Sequence, residues 1–357
     1  MKTKLVYVLT CAPDKHYIEQ ALMAVYSARH WNPEAHIVLL VDDKTDGLLT
    51  GKRAEILQYV SEKKVVTFDD DTTSPMYRSR WIKTSVRNLV DGDFMFVDCD
   101  TIVCRSLCEI DSFKCEVGAV WESHLLVADF CESLTKKAVS ECQRLCIDLI
   151  AEKEYFSSGV LFVKDSPRAH ELFEKWHSCW LESNSIGLPI DQPSLAKANA
   201  EMGHVIEKIP DTYNCIVFTK NTFVREAHIL HITAYENPSY LFTGKMLDYV
   251  SHNGLQDWIK DALENPCNTM LPFDYSVKHS TFKERREWIK GIAATAKRLK
   301  TFFPDMLSDF PMKTKLRNTV VWCFDKKFYK TGALVWMGWR RAKLLKHKDL
   351  KDNVCRK

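Results

Sequence analysis

Glycine and proline are scarce in this chain of 357 residues, at 12 each, so no low-complexity linker marks a domain boundary. No apolar run approaches the roughly 20 residues of a spanning helix. Ala333 to Trp339, the longest run near the C-terminus, is far too short. There is no G-x-G-x-x-G after the first strand-like segment, which argues against a dinucleotide-binding dehydrogenase, and no G-x-x-x-x-G-K-[ST], which excludes a P-loop NTPase. No C-x-x-C occurs. Cys99, Cys104, Cys108 and Cys115, the densest cysteine group, have spacings of five, four and seven that match no zinc pattern. Net charge is nearly absent too, at +3.

What is present is globular: 46% hydrophobic and 27% charged residues exclude disorder and allow a sizeable core. Lys2 and Lys4 before Leu5 to Leu9 imitate a secretory signal, but Asp14 and Lys15 follow too soon, so a buried strand is the better reading. Thirteen cysteines, an odd number, then suggest reduced thiols and a cytoplasmic setting.

The small net charge conceals two unlike parts. Residues 281 to 357 hold 21 Lys+Arg against 7 Asp+Glu, a net +14, which leaves 29 against 40, a net −11, for residues 1 to 280. A basic end on an acidic body suggests that the end meets an anionic surface.

Strand-like and helix-like patterns alternate: strand Leu5–Thr10, helix Tyr17–His30, strand His36–Val41, helix Arg53–Val60, strand Lys64–Phe68, helix Ser79–Val90, strand Phe94–Val97. Strand Glu116–Trp121, helix Ser133–Ile150, strand Gly159–Val163, helix Ala169–Trp180 and strand His228–Ile232 follow. This βαβα order predicts an α/β fold with a mostly parallel sheet flanked by helices. Functional groups in such sheets gather beyond the C-terminal strand ends, here after Leu9, after Val97 and near His231.

From about Ser251 the pattern is helical and basic. We therefore divide the chain into an α/β domain, 1–250, and a basic helical extension, 251–357. Trp288, Ile289, Ile292, Ala296, Leu299 and Phe303 recur at helical spacing. That face suits packing on the α/β body. The basic side with Phe302, Phe303, Trp336 and Trp339 also suits peripheral attachment to an anionic membrane. No nucleic-acid motif appears.

The sharpest local signal is Asp98-Cys99-Asp100 after the apolar strand Phe94–Val97, because two carboxylates one residue apart can converge on a hard divalent cation. A solvated acidic turn is the plainer alternative. The phosphatase pattern D-x-D-x-T fits poorly, since Thr101 directly follows the second Asp.

Five segments in order then resemble glycosyltransferase family 8: Thr10-Cys11-Ala12-Pro13-Asp14-Lys15-His16-Tyr17, Asp98-Cys99-Asp100, Ser157-Ser158-Gly159-Val160-Leu161-Phe162-Val163, Asp191-Gln192, and His231-Ile232-Thr233-Ala234-Tyr235-Glu236-Asn237-Pro238. The resemblance spans roughly residues 4 to 240. It implies a GT-A fold and retaining transfer of a hexose from a nucleotide-diphosphate sugar, with a uridine diphosphate (UDP) sugar as first choice. The acceptor would be a glycan or lipid-linked glycan.

The resemblance implies a cation held by Asp98, Asp100 and His231. Two carboxylates and an imidazole favour Mn²⁺ over Mg²⁺. His228 lies three residues before His231, an odd separation on one strand, so at most one of them reaches the site. Thr10, Asp14 and Tyr17 would meet the nucleotide, although Asp14 also suits a helix cap and Tyr17 ordinary packing. Ser158 and Gly159, read as opening a strand, would bond a donor hydroxyl and let backbone approach the sugar. Asp191 and Gln192 would flank the reacting carbon, with helix capping the plainer role for Asp191.

Three positions depart from the family pattern: Ser158 stands where the family usually has Asn, Ala234 for its Gly and Asn237 for the Lys that meets the donor phosphate. Arg80 and Lys83, a helical turn apart, are candidates to replace that charge or form a solvated face. The departures also favour an alternative, a non-catalytic sugar-binding relative.

Overall fold

The computed structural model describes residues 1–69, 73–130, 132–216, 226–232, 244–264 and 266. Strand β1 (Lys4–Leu9) is buried on both faces beyond Lys4 and leads to helix α1 (Tyr17–Trp31). Strand β2 (Ile37–Asp42), the short helix α2 (Asp43–Asp46), a 3-10 helix (Gly51–Gln58) and β3 (Glu62–Val66) follow. The helix expected over Arg53–Val60 is thus of the tighter kind and begins at Gly51.

Helix α3 (Pro75–Thr84) starts where Ser74 accepts a hydrogen bond from the Tyr77 amide at 3.1 Å and Pro75 takes the first turn. The single helix expected over Ser79–Val90 is interrupted. Ser85 has φ −98° and ψ 4°, and the short α4 (Val86–Leu89) follows. Then come β4 (Phe94–Val97), β5 (Thr101–Val103) and β6 (Val117–Trp121).

Helix α5 (Glu132–Gln143) stops seven residues before the expected end at Ile150, because the chain turns at Cys146 with φ 61° before α6 (Leu149–Glu152). Strand β7 (Phe156–Val163) begins three residues earlier than expected, which puts Ser158 and Gly159 inside the strand. Helices α7 (Pro167–Ser185) and α8 (Asp191–Glu201) and strands β8 (Ile206–Lys208), β9 (Cys215–Ile216) and β10 (Ile229–His231) complete the body. Helices α9 (Gly244–Asn253) and α10 (Asp257–Glu264) pack against α1 through Met246, Val250, Ile259 and Leu263, and Tyr26 donates a 2.6 Å hydrogen bond to Glu264. The rest of the basic extension, from residue 267, lies outside the described residues.

Among the described residues, seven strands form one sheet in the order β3-β2-β1-β4-β7-β6-β8, and β5-β10-β9 form a small second sheet. The pairs β1/β2, β2/β3, β1/β4 and β6/β8 are parallel, and β7 is antiparallel to both β4 and β6. The large sheet is therefore mostly parallel, as expected, with β7 reversed. Alternation along its strands separates two cores. Leu5, Tyr7, Leu9, Met95 and Val97 face α1, while Val6, Val8, Phe94 and Phe96 face α3 and α7. No helix among the described residues is long and apolar enough to cross a membrane.

This strand order places the reversal of winding between β1 and β4. The crevice outside their carboxyl ends is where open α/β sheets hold ligands. Because β6 runs parallel to β4 and β7 runs against both, the C-terminal end of β6 and the N-terminal end of β7 open on the same edge.

Candidate functional site

Asp98 leaves the end of β4, and its amide donates to the Gly159 carbonyl at 2.8 Å. Thr101 Oγ1 donates to the Asp98 carbonyl at 2.7 Å, closing a tight turn that carries Asp100 into β5. Strand β10 pairs antiparallel with β5 so that His231 sits opposite Thr101. One ligand atom each from Asp98, Asp100 and His231 lies within 4.8 Å of the others. The His231 Nε2 atom is 3.1 Å from Asp100 Oδ1.

Gly159 makes this convergence sterically feasible. A Cβ there would stand 2.4 Å from His231 Cε1 and 3.0 Å from Asp98 Oδ2. The close approach over this glycine is therefore made by the imidazole and a carboxylate. His228 lies away from the group: its ring stacks on Tyr213 with centroids 4.4 Å apart and its Nδ1 is 3.3 Å from Thr212 Oγ1.

Beside this group stands an ion-paired cluster. Arg78 on α3 is fastened to Asp42 at the end of β2 by a buried ion pair, which fixes the helix against the sheet. Further along the same helix, Arg80 Nε lies 2.8 Å from Asp191 Oδ1, and Lys83 Nζ lies 3.0 Å from Asp191 Oδ2 and 3.2 Å from Asp98 Oδ1. Ser158 Oγ donates to Asp191 Oδ2 at 2.8 Å. Asp191 is the first residue of α8 but does not cap it; the cap position is Ile190, without a side-chain bond.

The electrostatics follow the partners. Burial works against the Asp191 carboxylate, yet Lys83 and Arg80 hold its pKa far below the ordinary carboxylate range. Burial raises the Asp98 pKa, with Lys83 opposing it. Burial also works against charge on Asp100 and His231, but their mutual attraction lowers the first pKa and raises the second. Three carboxylates against two fixed cations leave this edge with an excess of negative charge before the imidazole is counted.

The remaining candidates are dispersed. Thr10 donates its hydroxyl to the Pro75 carbonyl at 2.8 Å. Asp14 is exposed and paired with Lys15 at 3.0 Å, and it does not cap α1, whose cap position is His16. Tyr17 is 52% exposed at the start of α1. Gln192 donates from Nε2 to Glu122 Oε2 at 3.0 Å. Asn237 lies outside the described residues.

Sequence reasoning missed three residues here. Glu122, directly after β6, follows the strand-end rule that located Asp98 and was legible by it. Ser157 and Asn214 gave no such signal. Asn214 lies on a one-turn 3-10 helix (Asp211–Asn214), where its Oδ1 is 3.0 Å from His231 Nδ1.

No protein-family model matches the chain, and no curated protein matches its sequence. Solved structures similar to it include several glycosyltransferases. Mouse xyloside xylosyltransferase 1 is 15% identical, with a TM-score of 0.43 over 67% of this chain and 99% of that one. The galactosyltransferase LgtC, solved with donor and acceptor sugar analogues, is 11% identical, with a TM-score of 0.45 over 80% of this chain and 100% of that one. GlyE of Streptococcus pneumoniae is 16% identical, with a TM-score of 0.43 over 76% of this chain and 66% of that one.

Proposed function

We propose that the protein is a metal-dependent glycosyltransferase of the GT-A kind, moving a hexose from a nucleotide-diphosphate sugar, with UDP-sugars as first choice, to a glycan or lipid-linked glycan. The observation that carries the reading is the convergence of Asp98, Asp100 and His231 at the switch point of the sheet. Two carboxylates and an imidazole at this spacing fit a divalent cation, Mn²⁺ before Mg²⁺, and the missing Cβ at Gly159 leaves room for the ring that completes the set. When bound, such a cation supplies Lewis-acid neutralisation of the pyrophosphate leaving group.

The chain's own residues divide the remaining work. Asp191, held ionised by Lys83 and Arg80, presents a fixed acceptor for sugar hydroxyls, and Ser158 orients it. Lys83 is 4% exposed and committed to carboxylates, whereas the Arg80 side chain is 34% exposed. Arg80 is therefore the better substitute for the family's phosphate-binding lysine. Gln192 and Glu122 form a hydrogen-bonded pair next to Asp191 that would face the acceptor. Thr10, Asp14 and Tyr17, beyond the end of β1, would border the nucleotide.

Nucleotide-sugars screened for Mn²⁺-dependent hydrolysis and thermal stabilisation test the reading. One donor is expected to raise Tm only with Mn²⁺ and to be hydrolysed slowly. Binding without turnover, with or without chelator, would instead support the non-catalytic alternative.

A further inference from the structure

An imidazole ligates a cation through one nitrogen, and the proton on the other decides which nitrogen is available. In this structure His231 Nε2 faces Asp100 Oδ1 at 3.1 Å, while Nδ1 faces Asn214 Oδ1 at 3.0 Å. The Asn214 amide is held in turn, donating from Nδ2 to Ser157 Oγ at 3.2 Å, and Ser157 Oγ also accepts from the Gly159 amide at 3.4 Å. Asn214 is fully buried, and Ser157 and His231 are 4% and 7% exposed. Bulk water is therefore a poor substitute for any link.

We propose that Asn214, braced by Ser157, is a positioning residue that keeps a proton of His231 on Nδ1, so that Nε2, which faces Asp100, is the nitrogen that ligates a cation beside Asp98 and Asp100. Any proton that Nε2 shares with Asp100 leaves to solvent as the cation binds. The inference rests on the metal-dependent reading above. It adds to that reading a residue 17 positions before the histidine, on a different element. A carbonyl oxygen accepts and cannot donate, so Nδ1 must be the donor. With the amide reversed, its NH₂ would face Nδ1 and the proton would move to Nε2, closing that nitrogen to metal. In this structure the amide takes the first arrangement, with Oδ1 toward the ring and Nδ2 toward Ser157 Oγ. Gly159 contributes twice, through its amide and through the space its missing side chain leaves for the ring.

The test uses the full chain labelled with ¹⁵N-histidine, without and with Mn²⁺. In the metal-free protein, a slowly exchanging Nδ1 proton on His231 is expected in wild type and lost in Asn214→Leu. Mn²⁺ affinity, read from the electron paramagnetic resonance of free ion, is expected to fall about 10- to 100-fold in Asn214→Leu. Asn214→Asp keeps an acceptor at the same place and is expected to stay near wild type. Ser157→Ala removes only the brace, is expected to weaken binding severalfold, and decides the matter if Asn214→Leu fails to fold. Unchanged Mn²⁺ affinity in Asn214→Leu or, where that variant does not fold, in Ser157→Ala would overturn the proposal. So would a proton on Nε2 in wild type with Nδ1 bare. Asp100→Asn separates the two levels, since it removes a ligand and leaves the Asn214 contact in place. If wild type itself binds no Mn²⁺, the metal-dependent reading fails, and this inference fails with it.

Discussion

Two groups of ionisable side chains share one edge of the sheet, and they are built on opposite principles. Around Asp191, each charge has its counter-charge within a few ångströms: Arg80 at 2.8 Å, Lys83 at 3.0 Å, with the Ser158 hydroxyl donating as well. Around Asp100, a second carboxylate, Asp98, and an imidazole converge, and the fixed cation in contact is Lys83, which touches Asp98 and is shared with the first group. Buried charges must be paired, so the first group is complete as it stands and the second is suited to one more positive charge. The difference separates charges already balanced within the fold from charges that await a partner. Substitution in the first should cost stability as well as donor binding, and in the second chiefly activity.

The largest effect should come from the second group. Asp100→Asn removes a ligand charge without opening a core cavity. Losing several kcal/mol of Lewis-acid stabilisation corresponds to a fall in turnover of about 10²- to 10³-fold or more. Sugar transfer assayed over a Mn²⁺ titration, with circular dichroism to confirm folding, checks this. Wild-type turnover in the variant, or full wild-type turnover in excess chelator, would contradict it.

Next is the first group. Asp191→Asn leaves the buried Lys83 and the partly exposed Arg80 short of a counter-charge, and should cost about 3 kcal/mol in chemical denaturation. The sign of its pH dependence follows from the depressed pKa. The stabilisation is complete above the unfolded value of about 3.9 and is lost as pH falls below it toward the folded value. Wild type and variant should therefore converge in Tm on acidification below about pH 4. A constant difference down to strongly acidic pH would show that the ion pairs are not its source.

Gly159→Ala joins the two groups' behaviours in one variant. Its Cβ would fall 2.4 Å from the His231 ring, so overpacking should cost about 1–3 kcal/mol and displace the imidazole from Asp100. Denaturant midpoints and Mn²⁺ affinity should fall together. The smallest expected effect concerns the basic segment 281–357, whose structure is outside the described residues. If it attaches to anionic vesicles, each single Lys→Gln change should weaken co-sedimentation by about 1 kcal/mol, and less at high salt. Equal binding to neutral vesicles would remove the electrostatic explanation.

Legibility from sequence follows the length of the signal. The strands β1, β2 and β4 are unbroken apolar runs and read directly as buried parallel strands. The residues just past their ends include Asp98, so the strand-end rule alone reaches it. Strands β5, β8 and β9 span three residues or fewer, too short for a period to show. The same brevity hides the small sheet that brings His231 to Asp100, so their meeting is legible only through a family resemblance. The helical pattern up to Val90 gives no warning of the break at Ser85. Asn214 is invisible for a different reason: its role depends on a partner across the fold, and an asparagine in a turn reads as turn chemistry. Arg80 and Lys83 stand out as a pair, and Asp98 and Asp191 as separate candidates, but their pairing does not show, because ion pairing between distant elements leaves no local pattern.

The meeting of Asp100 and His231 has a consequence for the shape of the folding problem. The two residues are about 130 positions apart, and the chain between them contains β5 through β9 and all of α5 to α8. A tie at this point pins the ends of a very long loop, and the entropy of closing it grows only with the logarithm of its length. One small ion held there would act as a knot in the thread. It would restrain the later half of the body against the earlier half, and resistance to unfolding would rise with ion concentration as RT ln(1 + [L]/Kd).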